Sequence, residues 1–228
     1  ISKKRNSSSS DSSPSFSSPS SKSPPAPPPA LEDVRAVRLG KLNSLIAQGC
    51  NPYAYKFDRT HKSSELHEEY RDLPNGEEAP LKLESIGSSS CRSSSDGILI
   101  SVAGRVMIKR SFGKLAFFSL QDDMGSIQLY LDKGKLQNEF SRLLDLTDPG
   151  DIIGVKGSMK RTGKGELSVN VQEWQMLSKA LAPLPDKYHG LQDTNKRYRQ
   201  RHLDMVVNAT VRQTLQTRAK IITSIRQM

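Results

Sequence analysis

The sequence predicts a mainly β protein with flanking helices, in which five short strands and one internal helix form a closed barrel. Two observations carry this prediction. Between residues 98 and 174, apolar residues alternate with polar or small ones in five stretches, which is the pattern of half-buried strands. Between the third and fourth stretches, apolar residues recur at helical spacing instead. The predicted element order is therefore βββαββ.

The first three strands precede the helix. In the strand that begins at residue 98, one parity predicts the inward side chains Ile98, Ile100, Val102, Val106 and Ile108. Gly104 falls where a barrel strand needs to bend. Strands follow over residues 115–122 and 126–131, and their predicted inward side chains are Phe118, Leu120, Ile127, Leu129 and Leu131.

The helix and two more strands complete the barrel. The apolar residues of the helix are spaced i, i+4, i+7 and i+8, at Leu136, Phe140, Leu143 and Leu144. A glycine turn joins strands over residues 151–161 and 166–174. This is the element order of the five-stranded OB-fold Greek-key barrel, whose face on strands two and three binds oligonucleotides. A ferredoxin-like sheet would need a helix after its first strand, and the sequence predicts none there, so this alternative fold is excluded.

The whole chain divides into six segments, residues 1–30, 31–72, 73–97, 98–178, 179–204 and 205–228. The first is rich in Ser and Pro and predicts a disordered leader. An amino-terminal helical segment and a linker or insertion with a serine cluster follow. After the barrel come a basic connector and a helix with an apolar stripe.

Composition and charge limit the functional classes. The 228 residues are 35% hydrophobic, below the roughly 45–50% of globular proteins, and no apolar run approaches the ~18 residues of a membrane span. We therefore expect no membrane partner. The two cysteines, Cys50 and Cys91, lie in no metal-binding pattern, so no metal site is predicted. A net charge of +10 favours a polyanionic partner such as nucleic acid.

The leader also suggests a location. A serine-rich, basic and acid-poor segment without an apolar core is typical of an organelle transit peptide, which predicts a plastid or mitochondrion. The alternative is a low-complexity tail that carries no address, in a cytoplasmic protein.

A helix is predicted ahead of the barrel, from residue 31 to the breakers Gly49 and Pro52. Its basic side includes Arg38 and Lys41. These cations could touch RNA phosphates, or form a solvated face while the apolar stripe packs on a neighbour.

The candidate binding face lies on strands two and three. With Phe118 and Leu120 inside, Phe117 points outward, and by the same parity Gln128 and Tyr130 point outward from strand three. An exposed aromatic ring can stack on an unpaired base, and a neighbouring amide can meet its Watson–Crick edge. The alternative is that Phe117 is covered by the linker or by the amino-terminal helix.

Five cations are candidate contacts to an RNA backbone. Arg105 and Lys109 are predicted to share the outer side of strand one. The turn between strands four and five adds Lys160, Arg161 and Lys164, although a solvated hairpin would look the same. No helix follows this turn, so it does not form a nucleotide phosphate loop.

Four segments resemble a known family. Residues 183–191 (PLPDKYHGL) and 197–204 (RYRQRHLD) closely resemble the junction of class II lysyl-tRNA synthetases, and residues 51–57 (NPYAYKF) and 102–105 (VAGR) are similar to that family too. The resemblance covers roughly residues 34–228. It implies an OB-fold domain of organellar or bacterial type that binds the anticodon of tRNA(Lys).

The resemblance also implies roles for individual residues. The family's anticodon contacts fall on Arg110, Phe117, Gln128 and Glu166. Phe117 and Gln128 are also selected by parity, whereas Arg110 shares the parity of inward Ile108 and would need a bulge to turn outward. Glu166 has the outward parity of strand five.

For the whole enzyme, the resemblance implies a homodimer and ATP-dependent lysylation of tRNA with Mg²⁺. Residues 205–228 are similar to the first class II motif, a dimer-interface helix, and the later motifs that bind ATP and lysine do not follow. We therefore expect this chain to be a fragment that binds tRNA, holds no cofactor, contains no catalytic residues and is inactive alone. The serine-rich residues 79–100 depart from the family's short link.

Two other functions remain open. The first is a stand-alone OB-fold protein that binds single-stranded nucleic acid without regard to sequence. The second is a dimerising interaction protein in which the helix over residues 205–228 does the work.

Overall fold

We describe the protein through a computed structural model. The structure describes residues 31–79, 99–185 and 191–227. The predicted leader, most of the serine-rich segment and the string at residues 186–190 lie outside these ranges, and so does the inward position predicted for Ile98.

Five strands form a closed barrel, which confirms the predicted fold class. The strands are β1 (Ile100–Phe112), β2 (Leu115–Gln121), β3 (Ser126–Asp132), β4 (Ile152–Arg161) and β5 (Leu167–Ser178). They follow one another around the barrel in the order β1-β2-β3-β5-β4, and β4 pairs with β1 to close it. The β3–β5 pair is parallel and the other pairs are antiparallel.

Seven helices lie in the described residues. They are α1 (Leu31–Ala47), α2 (Ser63–Glu69), α3 (Lys133–Leu136), α4 (Asn138–Leu146), α5 (Thr194–Arg199), α6 (Arg201–Val207) and α7 (Ala209–Gln227). The helix predicted between the third and fourth strands is thus two helices. They meet at Gln137, which has a positive φ of 48°.

The barrel interior follows the predicted parity in β2 and β3. Phe118, Leu129 and Leu131 are fully buried, and Phe140 and Leu143 of α4 are buried in the same core. Burial of one such large apolar side chain stabilises the fold by about 1.5–3 kcal/mol. This alternation leaves the opposite side chains of β2 and β3 on the outer face.

A β-bulge changes the parity of β1 halfway along the strand. Before the bulge Val106 pairs with Leu120, but after it Ile108 pairs with Ser119, so one extra residue lies between them. Ile108 was predicted to point inward with Val106, and this is wrong: it lies beside Ser119 on the outer side and is only half-buried. The second half of β1 therefore presents its even-numbered residues outward.

Gly104 lies where β1 approaches β2 closely. A Cβ added at this residue would come within 2.6 Å of the Gln121 carbonyl oxygen, closer than real Cβ atoms come. Glycine is therefore required at this position by the close approach of the two strands.

Helix α1 is fastened to the barrel by its cations. Arg38 is only 7% exposed and donates hydrogen bonds to the carbonyls of Pro149, Ala180 and Ala182. Lys41 pairs with Asp148 at the same end of the barrel. The predicted solvated face is therefore wrong for Arg38, whose guanidinium is bound by the chain's own carbonyl groups, whereas Leu45 of the apolar stripe is buried in the core as that alternative expected.

Two extended segments add to the barrel wall. Tyr53 forms a bridge with Ser178 of β5, and Phe57 packs on Gly154, where an added Cβ would come within 2.4 Å of its ring. Glu78 forms a bridge with Lys160, and Ala79 donates to the Met159 carbonyl. The second segment thus pairs with the part of β4 that lies beyond its pairing with β1.

The predicted single helix over residues 205–228 is wrong, because the chain breaks at Asn208 between α6 and α7. Asp204 is fully buried and accepts a hydrogen bond from the Asn208 side chain. Asn208 itself has φ −100° and ψ 102°, outside the helical region. Two connector cations, Arg197 and Arg201, also pair with Asp204. This carboxylate therefore organises the connector.

Candidate nucleic-acid interface

A row of three aromatic rings lies on the outer face of the barrel. Phe117 of β2 pairs across the sheet with Tyr130 of β3, and their ring centroids are 5.5 Å apart at an interplanar angle of 74°. On its other side, Phe117 meets Phe112 at 6.1 Å and 67°. Phe117 is half-buried, and Phe112 is 65% exposed. The rings present apolar surface to solvent on the face predicted from parity.

The bulge in β1 brings Arg110 to this row. Arg110 is exposed and is the cross-strand partner of Phe117, so both side chains project from the same face. The bulge that an outward Arg110 requires is therefore present. Tyr130 has a cation too, since the Lys160 ammonium lies 4.5 Å from its ring centroid. A cation thus lies beside each of the two rings Phe117 and Tyr130.

Gln128 lies beside the row, with its amide held by two neighbours. Its Nε2 donates to the Glu166 carboxylate at 2.8 Å, and its Oε1 accepts from the Ser168 hydroxyl at 2.7 Å. Glu166 is exposed just before β5, and Ser168 is buried within it. The structure therefore brings together all four residues predicted as anticodon contacts, Arg110, Phe117, Gln128 and Glu166.

Glu78 adds a second carboxylate to this face. It accepts hydrogen bonds from Ser158 and from Asn170, which is the cross-strand partner of Tyr130. Burial alone would raise the pKa of the Glu78 carboxyl. Hydrogen bonds from Ser158 and Asn170, together with the charge of Lys135, outweigh burial and hold the pKa below its ordinary value. The face therefore carries a fixed negative charge beside its cations.

Lys109 does not lie on the outer face, so its predicted outer position is wrong. The bulge turns it opposite buried Phe118, and its ammonium donates to the carbonyls of Leu144 and Thr147 at the end of α4. Burial lowers the pKa of this lysine. Lys109 thus caps the carboxyl end of α4.

Arg105 lies before the bulge and does point outward from the barrel. Its guanidinium donates to the Gly150 carbonyl at 2.7 Å, near the loop that ends α4. It is paired with Gln121 and Ile152, away from the aromatic row. The structure therefore does not bring Arg105 to the four predicted contacts.

The three cations of the β4–β5 turn have different surroundings. Lys160 lies over Tyr130, and Lys164 is exposed at the tip of the turn. The Arg161 guanidinium donates to the carbonyls of Gly165, Tyr70 and Arg71, which ties the turn to the end of α2. The turn is therefore held in place by one of its own cations.

Sequence reasoning placed Tyr130 on this face without selecting it as a site residue, and it missed Phe112. Tyr130 has the outward parity of Gln128 but was not selected as a site residue, although cross-strand pairing with Phe117 would have suggested it. Phe112 gave no signal, because its outward direction depends on the bulge. Outward residues in neighbouring strands, aligned by register, are the pattern that would reveal such a row.

The described ranges contain no group of three or more His, Cys, Asp or Glu side chains that could hold a metal ion. Within the same ranges, no helix has the length and apolar character needed to cross a membrane.

Comparison with known proteins gives the class of the barrel. Residues 100–177 match the family described as the OB-fold nucleic acid binding domain. The barrel therefore has the OB fold, and two rings of the aromatic row, Phe117 and Tyr130, lie on β2 and β3, the strands whose outer face binds oligonucleotides in other OB folds.

Most of the chain is similar to lysine–tRNA ligases. It is 49% identical to the lysine–tRNA ligase of Nostoc punctiforme over 204 residues, which are 86% of this chain and 33% of that protein. It is 47% identical to the chloroplastic/mitochondrial lysine–tRNA ligase of Arabidopsis thaliana over 197 residues, 86% of this chain and 30% of that protein. The resemblance inferred from the sequence is confirmed, and the chain spans about a third of the length of these relatives.

Proposed function

We propose that the outer face of this barrel binds the anticodon of tRNA(Lys), as part of a lysine–tRNA ligase. The observation that carries the proposal is the half-buried Phe117 ring beside the Gln128 amide, on the β2–β3 face of an OB-fold domain. The ring stacks on an unpaired base, and the amide meets the edge of that base or of its neighbour. The similarity to lysine–tRNA ligases supports tRNA(Lys) as the partner.

The charged residues have separate roles in this proposal. Arg110, which is level with Phe117, neutralises a phosphate of the bound loop. Lys160 and Lys164 do the same from the turn, and Lys160 keeps its contact with Tyr130. Glu166 holds the Gln128 amide and accepts a hydrogen bond from a base amine or imine. Lys109, Arg105 and Arg161 support the protein's own structure and take no phosphate.

Lysine activation belongs to the proposed whole enzyme, a class II ligase that uses ATP and Mg²⁺. This activity is a property of the whole enzyme, and the chain spans about a third of the length of its relatives. We propose that the 228 residues alone bind tRNA without charging it. The proposed homodimer would use α7, whose Ile221, Ile222 and Ile225 are between 37% and 65% exposed.

An organelle is the proposed location. The Ser- and Pro-rich residues 1–30 have a transit-peptide composition, and one relative is named as chloroplastic/mitochondrial.

Replacement of Phe117 by alanine tests the proposal. We expect Phe117→Ala to weaken binding of a lysine anticodon stem-loop by about 1–3 kcal/mol, because the stacked ring is lost. Binding is measured by fluorescence anisotropy at one fixed salt concentration, since phosphate contacts make the affinity salt-dependent. Phe117→Tyr keeps the ring and is the matched control, with melting curves to show that both variants fold.

The same assay separates the proposal from its alternative. The proposed function requires the lysine stem-loop to bind more tightly than an unstructured oligonucleotide of equal length. Equal affinity would indicate general single-strand binding, and an unchanged affinity in Phe117→Ala would remove this ring from the site and overturn the proposed function, which rests on it.

A further inference from the structure

The proposed function uses one stacking ring, but the face offers a second. Phe112 ends β1, directly before the turn at Gly113, and 65% of its surface is exposed. It projects on the same side as Arg110 and Phe117, because the bulge puts residues 108, 110 and 112 on the outer face. A single exposed apolar side chain needs no special explanation, but Phe112 extends the contiguous aromatic surface of Phe117 and Tyr130, and contiguous exposed apolar surface marks binding sites.

The angle between the rings decides what Phe112 can contact. Its plane is inclined by 67° to that of Phe117, with the centroids 6.1 Å apart. A flat base that stacks on one of these rings therefore cannot lie parallel to the other. If both rings stack, they stack on different bases.

Positive charge lies close to Phe112 on two sides. Arg110 precedes it by two residues on the same face, and exposed Lys114 follows it in the turn. Lys133 is exposed and donates its backbone N–H to the Lys114 carbonyl at 3.0 Å, which brings a third cation to this edge. A nucleotide on Phe112 would thus find cations for its phosphates.

We propose that Phe112 is a second stacking surface, which binds the nucleotide next to the one on Phe117. The site then takes at least two consecutive unpaired nucleotides of a loop. This inference rests on the proposed function, since it assigns a further nucleotide to the same face.

The test combines protein variants with abasic RNA. Each nucleotide of the lysine anticodon loop is replaced in turn by an abasic residue, and affinities are measured for the full chain and for Phe112→Ala and Phe117→Ala. We expect Phe112→Ala to weaken binding of the intact loop by about 5- to 150-fold, the range of one lost stack. A lost stack also predicts that one abasic position removes the effect of each variant.

The proposal is tested by the loop position at which an abasic residue removes the effect of each variant. The proposal requires Phe112→Ala to be silent at an abasic position adjacent to the one that silences Phe117→Ala. If both variants couple to the same position, Phe112 only supports the Phe117 ring, and the proposal is overturned. An unchanged affinity in Phe112→Ala also overturns it, whereas an unchanged affinity in Phe117→Ala overturns the proposed function.

Two further variants control for general effects. Phe112→Leu keeps an apolar side chain without a ring, and we expect it to lose affinity as alanine does. Tyr55→Ala removes a fully exposed aromatic ring from the segment that packs along the end of β5, and we expect it to bind normally. Loss of affinity in Tyr55→Ala as large as in Phe112→Ala would contradict a site-specific role for Phe112.

Discussion

At the scale of single residues, the direction of the Gln128 amide is fixed within the protein itself. Glu166 can only accept, so the amide nitrogen must face it, and the Ser168 hydroxyl fixes the oxygen. One N–H and one lone pair of the amide then remain for a ligand. A donor and an acceptor in a fixed orientation match the edge of a single base, and the ordering cost of the side chain is already met within the protein.

We predict that Gln128→Ala relaxes base preference more than it lowers affinity, because base-edge contacts specify whereas phosphate contacts position. The measurement is the affinity for stem-loops that differ at each anticodon base. Gln175→Ala is the matched control, since Gln175 is an exposed amide of β5 opposite Gly154. If the Gln128→Ala protein discriminates among the anticodon variants as well as the unchanged protein does, the Gln128 amide does not contact a base edge.

At the scale of elements, alternation allowed much of the fold to be predicted, because it is local. The inward residues of β2 and β3, and with them Phe117 and Gln128, follow from a period of two within each strand. The bulge in β1 depends on pairing with β2, which the residues of β1 alone do not reveal. The positions of Arg110, Phe112 and Lys109 were therefore out of reach from local pattern. The break at Asn208 was missed for a similar reason, since it depends on buried Asp204.

Replacement of two glycines of β4 by alanine is predicted to destabilise the protein by different amounts, because the two glycines approach different atoms. A Cβ at Gly157 would come within 2.0 Å of the Asn170 carbonyl oxygen, which is backbone, whereas at Gly154 it would meet the Phe57 ring, which can move. We expect Gly157→Ala to destabilise the protein by about 1–3 kcal/mol or more in urea unfolding, and Gly154→Ala by less.

A double variant checks this explanation. Phe57→Ala should remove much of the cost of Gly154→Ala and none of the cost of Gly157→Ala, because only the first contact involves that ring. Equal rescue of both glycine variants would contradict the assignment of the contacts.

At the scale of the whole molecule, a buried ion network fastens the barrel to the segment that follows it. Lys179 is fully buried and donates to Asp148 and to Asp151, which is fully buried too. Burial alone would raise the pKa of Asp148, but hydrogen bonds from Lys179 and Lys41 outweigh it and lower this pKa. The network thus joins α1, the end of α4 and the residues after β5 through one set of charges.

This network predicts acid sensitivity. The pKa of Asp148 is lower in the folded state than its ordinary value of 3.8, so the unfolded chain binds protons first as pH falls. The stabilisation from Asp148 is therefore fully present above pH 3.8. It is lost as the pH falls from 3.8 through the lower pKa that Asp148 has in the folded protein. We expect the free energy of unfolding in urea to decline over this range, and Asp148→Asn to make the decline shallower. Asp72→Asn, at an exposed position, is the control and should leave the profile unchanged.

The extra residue in β1 changes which side of the barrel the even-numbered residues of that strand face. Positions 102, 104 and 106 face the interior, while positions 108, 110 and 112 face outward, so residues of the same parity serve opposite sides of one strand. A library randomised at the second trio would alter the outer surface, including the proposed binding residues Arg110 and Phe112, while leaving the hydrophobic interior intact. Randomising the first trio would alter folding stability while leaving the recognition surface chemically unchanged, so the strand can be engineered for either property separately.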